Sequence, residues 1–346
     1  MKVISLFSGI GGIDLGFKQA GFEIVWANDI DRDACKTYRT NFGEKSICQQ
    51  DIRSVSVESV PNADVIVAGF PCQPFSVMGY QRGFKDPRGN LFFEIARFID
   101  EKKPRVVFLE NVQNLMEHDN GKTFLVIYNA LAQFGYSVKY KVINATDVNI
   151  PQHRARIFIV AFRDIGDCDR FVFPEAIPLE TTIEDIIDRT VKHDDIYYYG
   201  SESRYFKTLN AKIVDKTGIY RIDDSGIATR KWDICPTLKA NMGTYHDRVP
   251  IISDDFGIRK LTPMECLAFQ GNYCVASKTT NQAFFAHTSN CDFKLFAIFD
   301  TFYQSIVLVS FVNCFFGKNN TLICRSNQTF QYVTFLDVCF CADVVI

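Results

Sequence analysis

Val3-Ile4-Ser5-Leu6-Phe7-Ser8-Gly9-Ile10-Gly11-Gly12 is a compact apolar run that breaks into a glycine-rich turn and then into the helical pattern of residues 12–20. A buried strand delivered into such a turn lets backbone amides approach a bound cofactor closely, because glycine carries no Cβ. The turn lacks the lysine and hydroxyl of a phosphate-binding loop, so alone it is a strand-to-helix connection. The same texture recurs outward from it. Residues 23–27, 65–70, 106–109 and 157–162 are short runs rich in β-branched or aromatic side chains and read as buried strands. Residues 91–101 and 122–134 are amphipathic and long enough to be crossover helices. This alternation predicts an α/β fold with a doubly wound, mostly parallel sheet.

The composition agrees with one enzyme-sized core and a smaller addition: 346 residues, 47% apolar and 23% charged. A net charge of -2 gives no global basic signal, so contact with nucleic acid would have to come from local patches. Met1-Lys2 runs straight into the first strand without a signal-peptide pattern, and a cytoplasmic location is expected. The 12 cysteines form no CxxC pair or regular framework, which argues against a disulfide scaffold or a zinc site. The βα rhythm fades from about residue 167. The expected division is a catalytic and cofactor-binding domain over residues 1–166, a small target-recognition domain over 167–250, a return segment over 251–271 and a tail over 272–346.

The informative residues fall where strands end, the ligand edge of an open α/β sheet. Asn28-Asp29-Ile30-Asp31 places a carboxylate 20 residues after Gly9, where such folds bond ribose hydroxyls. Asp51 is a second candidate, for an adenine amino group, or else an ordinary loop aspartate. In Gly69-Phe70-Pro71-Cys72-Gln73-Pro74-Phe75-Ser76, prolines on both sides restrict the backbone around one cysteine. A free cysteine is usually a small buried hydrophobe, but its place beyond a strand end points to a nucleophile. Glu110-Asn111-Val112 and Gln152-His153-Arg154-Ala155-Arg156 add a carboxylate and two guanidiniums. Taken singly, these are a helix-start carboxylate and a surface pair.

In their order, these motifs resemble those of the DNA cytosine carbon-5 methyltransferases, as does Arg259-Lys-Leu-Thr-Pro-Met-Glu-Cys-Leu-Ala-Phe-Gln-Gly further along. The resemblance covers residues 1 to about 271, and the compact chain is similar to bacterial or phage modification enzymes. It implies a sheet of the S-adenosylmethionine-dependent methyltransferase type, a smaller recognition domain, and duplex DNA in the cleft between them. S-adenosylmethionine is the implied methyl donor, with Phe7, Gly9, Gly11, Gly12, Asp29, Ile30, Asp51, Ile52, Pro71 and Leu91 as its expected contacts. Cys72 is the implied nucleophile on ring carbon 6, and Glu110 the acid at ring nitrogen 3. Arg154 and Arg156 hold the base carbonyl. Gln73, Arg82, Lys85, Arg88, Thr237 and Lys239 are expected DNA contacts, the glycine-hinged stretch 76–90 closing over a flipped cytosine. The chemistry calls for no metal and no membrane. A monomer is expected, with a restriction endonuclease acting separately. The rivals are a related transfer RNA methyltransferase and a catalytically impaired DNA-binding product.

Two departures from the family pattern stand out. Met264 occupies a position where the family usually has arginine, which predicts a lost ion pair or phosphate contact. Residues 272–346 hold 6 of the 12 cysteines and 12 of the 32 phenylalanines, but only 8 Asp, Glu, Lys or Arg. The family's closing Gly-Asn-Ser-Val motif is absent there. The expectation is therefore a frameshifted or rearranged ending, with weak or absent methylation.

Overall fold

The computed structural model describes residues 1–71, 91–222, 232–238, 242 and 249–271. Expectations for Cys72, Gln73, Arg82, Lys85, Arg88, Lys239 and the tail 272–346 fall outside them.

Each apolar run becomes a strand, and the polar stretches between them add others. In chain order the first unit is β1 (Lys2–Leu6), α1 (Gly12–Gln19), β2 (Glu23–Asp29), α2 (Arg32–Phe42), β3 (Cys48–Gln49), β4 (Val65–Gly69), α3 (Leu91–Lys102), β5 (Val106–Val112), α4 (Lys122–Gln133), β6 (Ser137–Asn144), β7 (Ala155–Phe162) and α5 (Ile165–Arg170). The seven strands form one sheet in the order β3-β2-β1-β4-β5-β7-β6. The first five are mutually parallel, whereas β7 runs antiparallel to both β5 and β6. The strand order reverses between β1 and β4, which opens a crevice at their carboxyl ends.

The alternation of strand side chains builds two cores. Ile4, Leu6, Ile66, Ala68, Val107, Leu109, Ile157 and Ile159 face α3 and α4. Val3, Val65, Val67, Phe108, Phe158, Val160 and Phe162 face Ile13 and Phe17 of α1 and Cys168 of α5. Helices on both faces explain why the central strands are apolar throughout. Edge strand β6 is instead only partly buried. Its lysines are tethered, with Lys139 Nζ on the Phe171 carbonyl at 2.6 Å and Lys141 Nζ on that of Pro174 at 2.9 Å.

Beyond α5 come α6 (Phe206–Lys212), the antiparallel pair β8 (Ile251–Ser253) and β9 (Ile258–Lys260), and α7 (Pro263–Ala268). A separate apolar cluster draws Ile183, Ile187, Ile219, Cys235, Leu238 and Val249 onto Ile252, Leu261, Cys266 and Phe269. Beside it the Arg259 guanidinium, 0% exposed, meets Asp254 through Nε at 2.6 Å and Glu265 through both Nη atoms at 2.7 and 2.8 Å. Glu265 also closes a capping box with Thr262 at the start of α7. Burial would push the guanidinium down; the bonds to Glu265 and Asp254 win and hold it above its ordinary value. The five described cysteines, Cys35, Cys48, Cys168, Cys235 and Cys266, are all free. Among the described residues, no helix is long and apolar enough to cross a membrane.

Candidate active site

The glycine-rich turn is built by alternating backbone hand. Phe7, Gly9 and Gly11 have φ of 55°, 56° and 94°, and a non-glycine residue held there marks a strained turn at the sheet's crevice. The end of β2 locks it: Ser8 N–H donates to the Asn28 carbonyl at 2.9 Å and Gly9 N–H to Asp29 Oδ2 at 2.8 Å. At Gly11 a side chain has no room, since a Cβ would collide with the Phe42 ring and lie 2.9 Å from Tyr38. Gly12, also buried, begins α1.

Asp29 is half-buried, and burial pushes its carboxyl up against the opposing pull of the Asp31 and Gly9 amides. Its Oδ1 accepts from Asp31 N–H at 2.8 Å, so the carboxylate shapes the turn as well as facing the crevice edge. Ile30, the next residue, is 64% exposed. Asp51 is engaged locally: Arg53 grips both its oxygens, with Nη2 at 2.6 Å from Oδ2. Those bonds hold its carboxyl below the usual range. Ile52 is buried, Leu91 half-buried at the start of α3, and Pro71 exposed just past β4. A carboxylate acceptor beside a close-approach turn, with an exposed isoleucine following it, fits the ribose and adenine of an adenosyl cofactor.

On the next strands the chemistry gathers. Gly69 pairs with Glu110 in the parallel register, so the chain leaving β4 toward Cys72 starts beside the Glu110 carboxylate. Glu110 lies opposite Phe158 and Val112 opposite Arg156, which puts Arg156 and Glu110 on one face as diagonal neighbours. Their side chains form an ion pair, Nε to Oε1 at 3.0 Å, with each about nine-tenths buried. Arg154 is 1% exposed, and Nη1 reaches the Leu238 carbonyl at 3.5 Å. Neither a helix-start carboxylate nor a surface pair describes these residues.

The loop before β7 is gripped from outside the sheet. Cys235 N–H donates to the Pro151 carbonyl and His153 N–H to the Cys235 carbonyl, both at 2.8 Å. Gln152 Nε2 donates to the Phe269 carbonyl at 3.1 Å, and the Thr237 hydroxyl donates to the His153 carbonyl. Thr237 is thus bonded to the arginine-bearing loop. Sequence reasoning missed this clamp; a buried Gln152 and a cysteine flanked by proline carry no signal of mutual contact.

A sequence profile described as C-5 cytosine-specific DNA methylase matches residues 1–287. The chain belongs to that family. The match runs past Gly271, where the resemblance of individual motifs ends. Type II methyltransferase M.Bsp6I of Bacillus sp. (strain RFL6) is 50% identical over 275 residues, spanning 78% of this chain and 87% of the relative. Type II methyltransferase M.HhaI of Haemophilus parahaemolyticus is 39% identical over 284 residues, spanning 78% and 84%. The fold is also that of a DNMT2 variant from Spodoptera frugiperda, with TM-score 0.65 at 18% identity over 91% of this chain and 99% of the other. As a member of the C-5 cytosine-specific DNA methylase family, the chain is a DNA methyltransferase that uses S-adenosylmethionine.

Proposed function

We propose that the chain methylates carbon 5 of a cytosine flipped out of duplex DNA, with Cys72 as nucleophile and Glu110, Arg154 and Arg156 as the polar wall of the base pocket. The observation that carries this reading is the buried Glu110–Arg156 pair, held by the β4-β5-β7 register next to the strand that leads to Cys72. The Cys72 thiolate adds to ring carbon 6, and Glu110 shares a proton with ring nitrogen 3 as electrons move onto the ring. The planar Arg156 fork suits holding Glu110 and the base carbonyl together, while Arg154 braces the pocket wall. When bound, S-adenosylmethionine supplies an electrophilic methyl group. Asp29, Phe7, Ile30, Ile52, Pro71 and Leu91 hold its adenosyl part, with Gly9, Gly11 and Gly12 allowing its close approach. Asp51, whose carboxylate Arg53 also engages, accepts from the adenine amino group. Loss of the carbon-5 proton and expulsion of the cysteine sulfur then release the product.

The stretch 76–90, with Arg82, Lys85 and Arg88, closes over the flipped base, and Gln73, Thr237 and Lys239 contact the DNA strand. The division at residues 166, 250 and 271 separates catalysis, target recognition and return. The tail 272–346 departs from the family's ending. The protein works in the cytoplasm as a monomer, beside a restriction endonuclease acting on the same sequence.

The test offers the full chain DNA, transfer RNA and duplex DNA carrying 5-fluorocytosine. Labelled methyl groups should enter DNA alone, and the fluorinated duplex should form a denaturation-resistant complex that Cys72→Ser does not form. Methylated DNA without any trapped complex would remove Cys72 from the mechanism, and label entering only transfer RNA would overturn the substrate. The damaged-tail reading predicts slow methylation; ordinary rates would remove it.

A further inference from the structure

We propose that Asn111 is a positioning residue for methyl transfer, its side-chain amide holding the backbone that leads to Cys72 at a set distance from Glu110. This rests on the roles assigned to Cys72 and Glu110 above.

The parallel pairing of β4 with β5 runs from Val65 opposite Val106 to Gly69 opposite Glu110 and ends there. Phe70 lies beyond the last pair, and Pro71 has no N–H with which to continue a ladder. Asn111 bridges this gap. Its Nδ2 donates to the Phe70 carbonyl at 2.9 Å, across 41 residues of chain, and its Oδ1 accepts Val112 N–H at 2.9 Å. With an acceptor at one end and a donor at the other, only one orientation of the amide satisfies both. Asn111 is 3% exposed, so water does not compete for these bonds.

The consequence follows from strand alternation. Glu110 and Asn111 are consecutive and project to opposite faces of β5. The carboxylate enters the pocket on one face while the amide grips, on the other, the chain two residues before the nucleophile. Ring carbon 6 and ring nitrogen 3 belong to one rigid base, so sulfur and carboxyl must be held together to within a fraction of an ångström to engage both. A slip of the Phe70 backbone relative to β5 would spoil covalent addition without removing any group that binds cofactor or DNA.

The discriminating variant is Asn111→Asp. Ionised, it turns an acceptor toward the Phe70 carbonyl; protonated, it restores a donor of nearly the same shape. With the full-length variant at saturating cofactor and DNA, the rate of adduct formation on the fluorinated duplex should fall by about 10- to 100-fold near neutral pH, the size expected when a buried carbonyl loses its donor. The ratio of variant to wild-type rate should climb as the pH falls. Asn111→Ala should be slow at every pH, and both variants should bind labelled cofactor and DNA as the wild type does. An aspartate variant as fast as wild type at neutral pH, or a deficit that ignores pH, would overturn the proposal. So would cofactor or DNA binding lost in parallel with the rate. If the aspartate variant does not fold at neutral pH, the alanine variant decides: no slowing there overturns it. A wild-type chain that traps nothing marks failure of the Cys72 reading instead.

Discussion

Asp14 shows at the scale of one residue how burial alone creates a titration. It is 0% exposed in the first turn of α1, and Tyr38 donates to its Oδ2 at 2.6 Å. Burial pushes its carboxyl up to about 6, against the opposing hydrogen bonds from Ser5 and Tyr38. A carboxyl raised in the folded state favours folding while it is protonated. Its contribution is therefore complete below the unfolded value of 3.8 and is lost as the pH rises through about 6. Asp14→Asn should thus become more stable relative to wild type across that window, by about 3 kcal/mol, and by a constant amount above it. Denaturant midpoints at a series of pH values check this, and parallel stability curves for the two proteins would refute it. Nothing in the sequence distinguishes Asp14 from a helix-start aspartate facing water. Glu110 and Arg156 were legible as candidates through the motifs that contain them, but their pairing was not.

At the scale of elements, the strands and helices with strong patterns were legible and the polar ones were not. Helix α2 carries only three buried residues, and Asp31 caps it through the amides of Asp33 and Ala34. Strand β6 alternates weakly because it lies at the sheet edge, and the reversal of β7 is invisible in a run that is apolar on both faces. Residues 254–265 are the sharper case. The motif that starts at Arg259 was legible as a resemblance, but nothing in it shows that Arg259 is enclosed with two carboxylates. Arg259→Met should cost about 3–5 kcal/mol, because Asp254 and Glu265 would remain buried without their cation. Thermal and denaturant unfolding measure the loss; a change under about 1 kcal/mol would mean that the carboxylates find other partners.

Across the whole molecule, α7 couples the end of the described chain to its beginning. Leu267, with Met264 beside it, packs on Ile10 of the glycine-rich turn and Ala34 of α2. Met264 therefore serves as apolar packing where the family pattern led us to expect a lost ion pair. Cofactor bound at the turn should stabilise α7 as well. At about 100 times its dissociation constant, S-adenosylmethionine should stabilise the chain by about 2.7 kcal/mol. It should also slow amide exchange in residues 263–269 together with residues 7–13. Protection confined to the turn would show that α7 is not coupled to it.

Read alone, the chain reveals the local chemistry: which apolar runs are strands, and that a cysteine between prolines, a carboxylate and two arginines sit at or near strand ends. These are readable because burial periodicity, proline restriction and glycine freedom act over a few residues. Folding sets what spans the chain: the β7 reversal, the Glu110–Arg156 pair, the Asn111 bond to Phe70 and the clamp of Cys235 and Phe269 on the loop before β7. Each depends on strands or loops 41 to 117 residues apart meeting in one register. A side chain's hydrogen-bonding capacity is local, but its partner is chosen by packing.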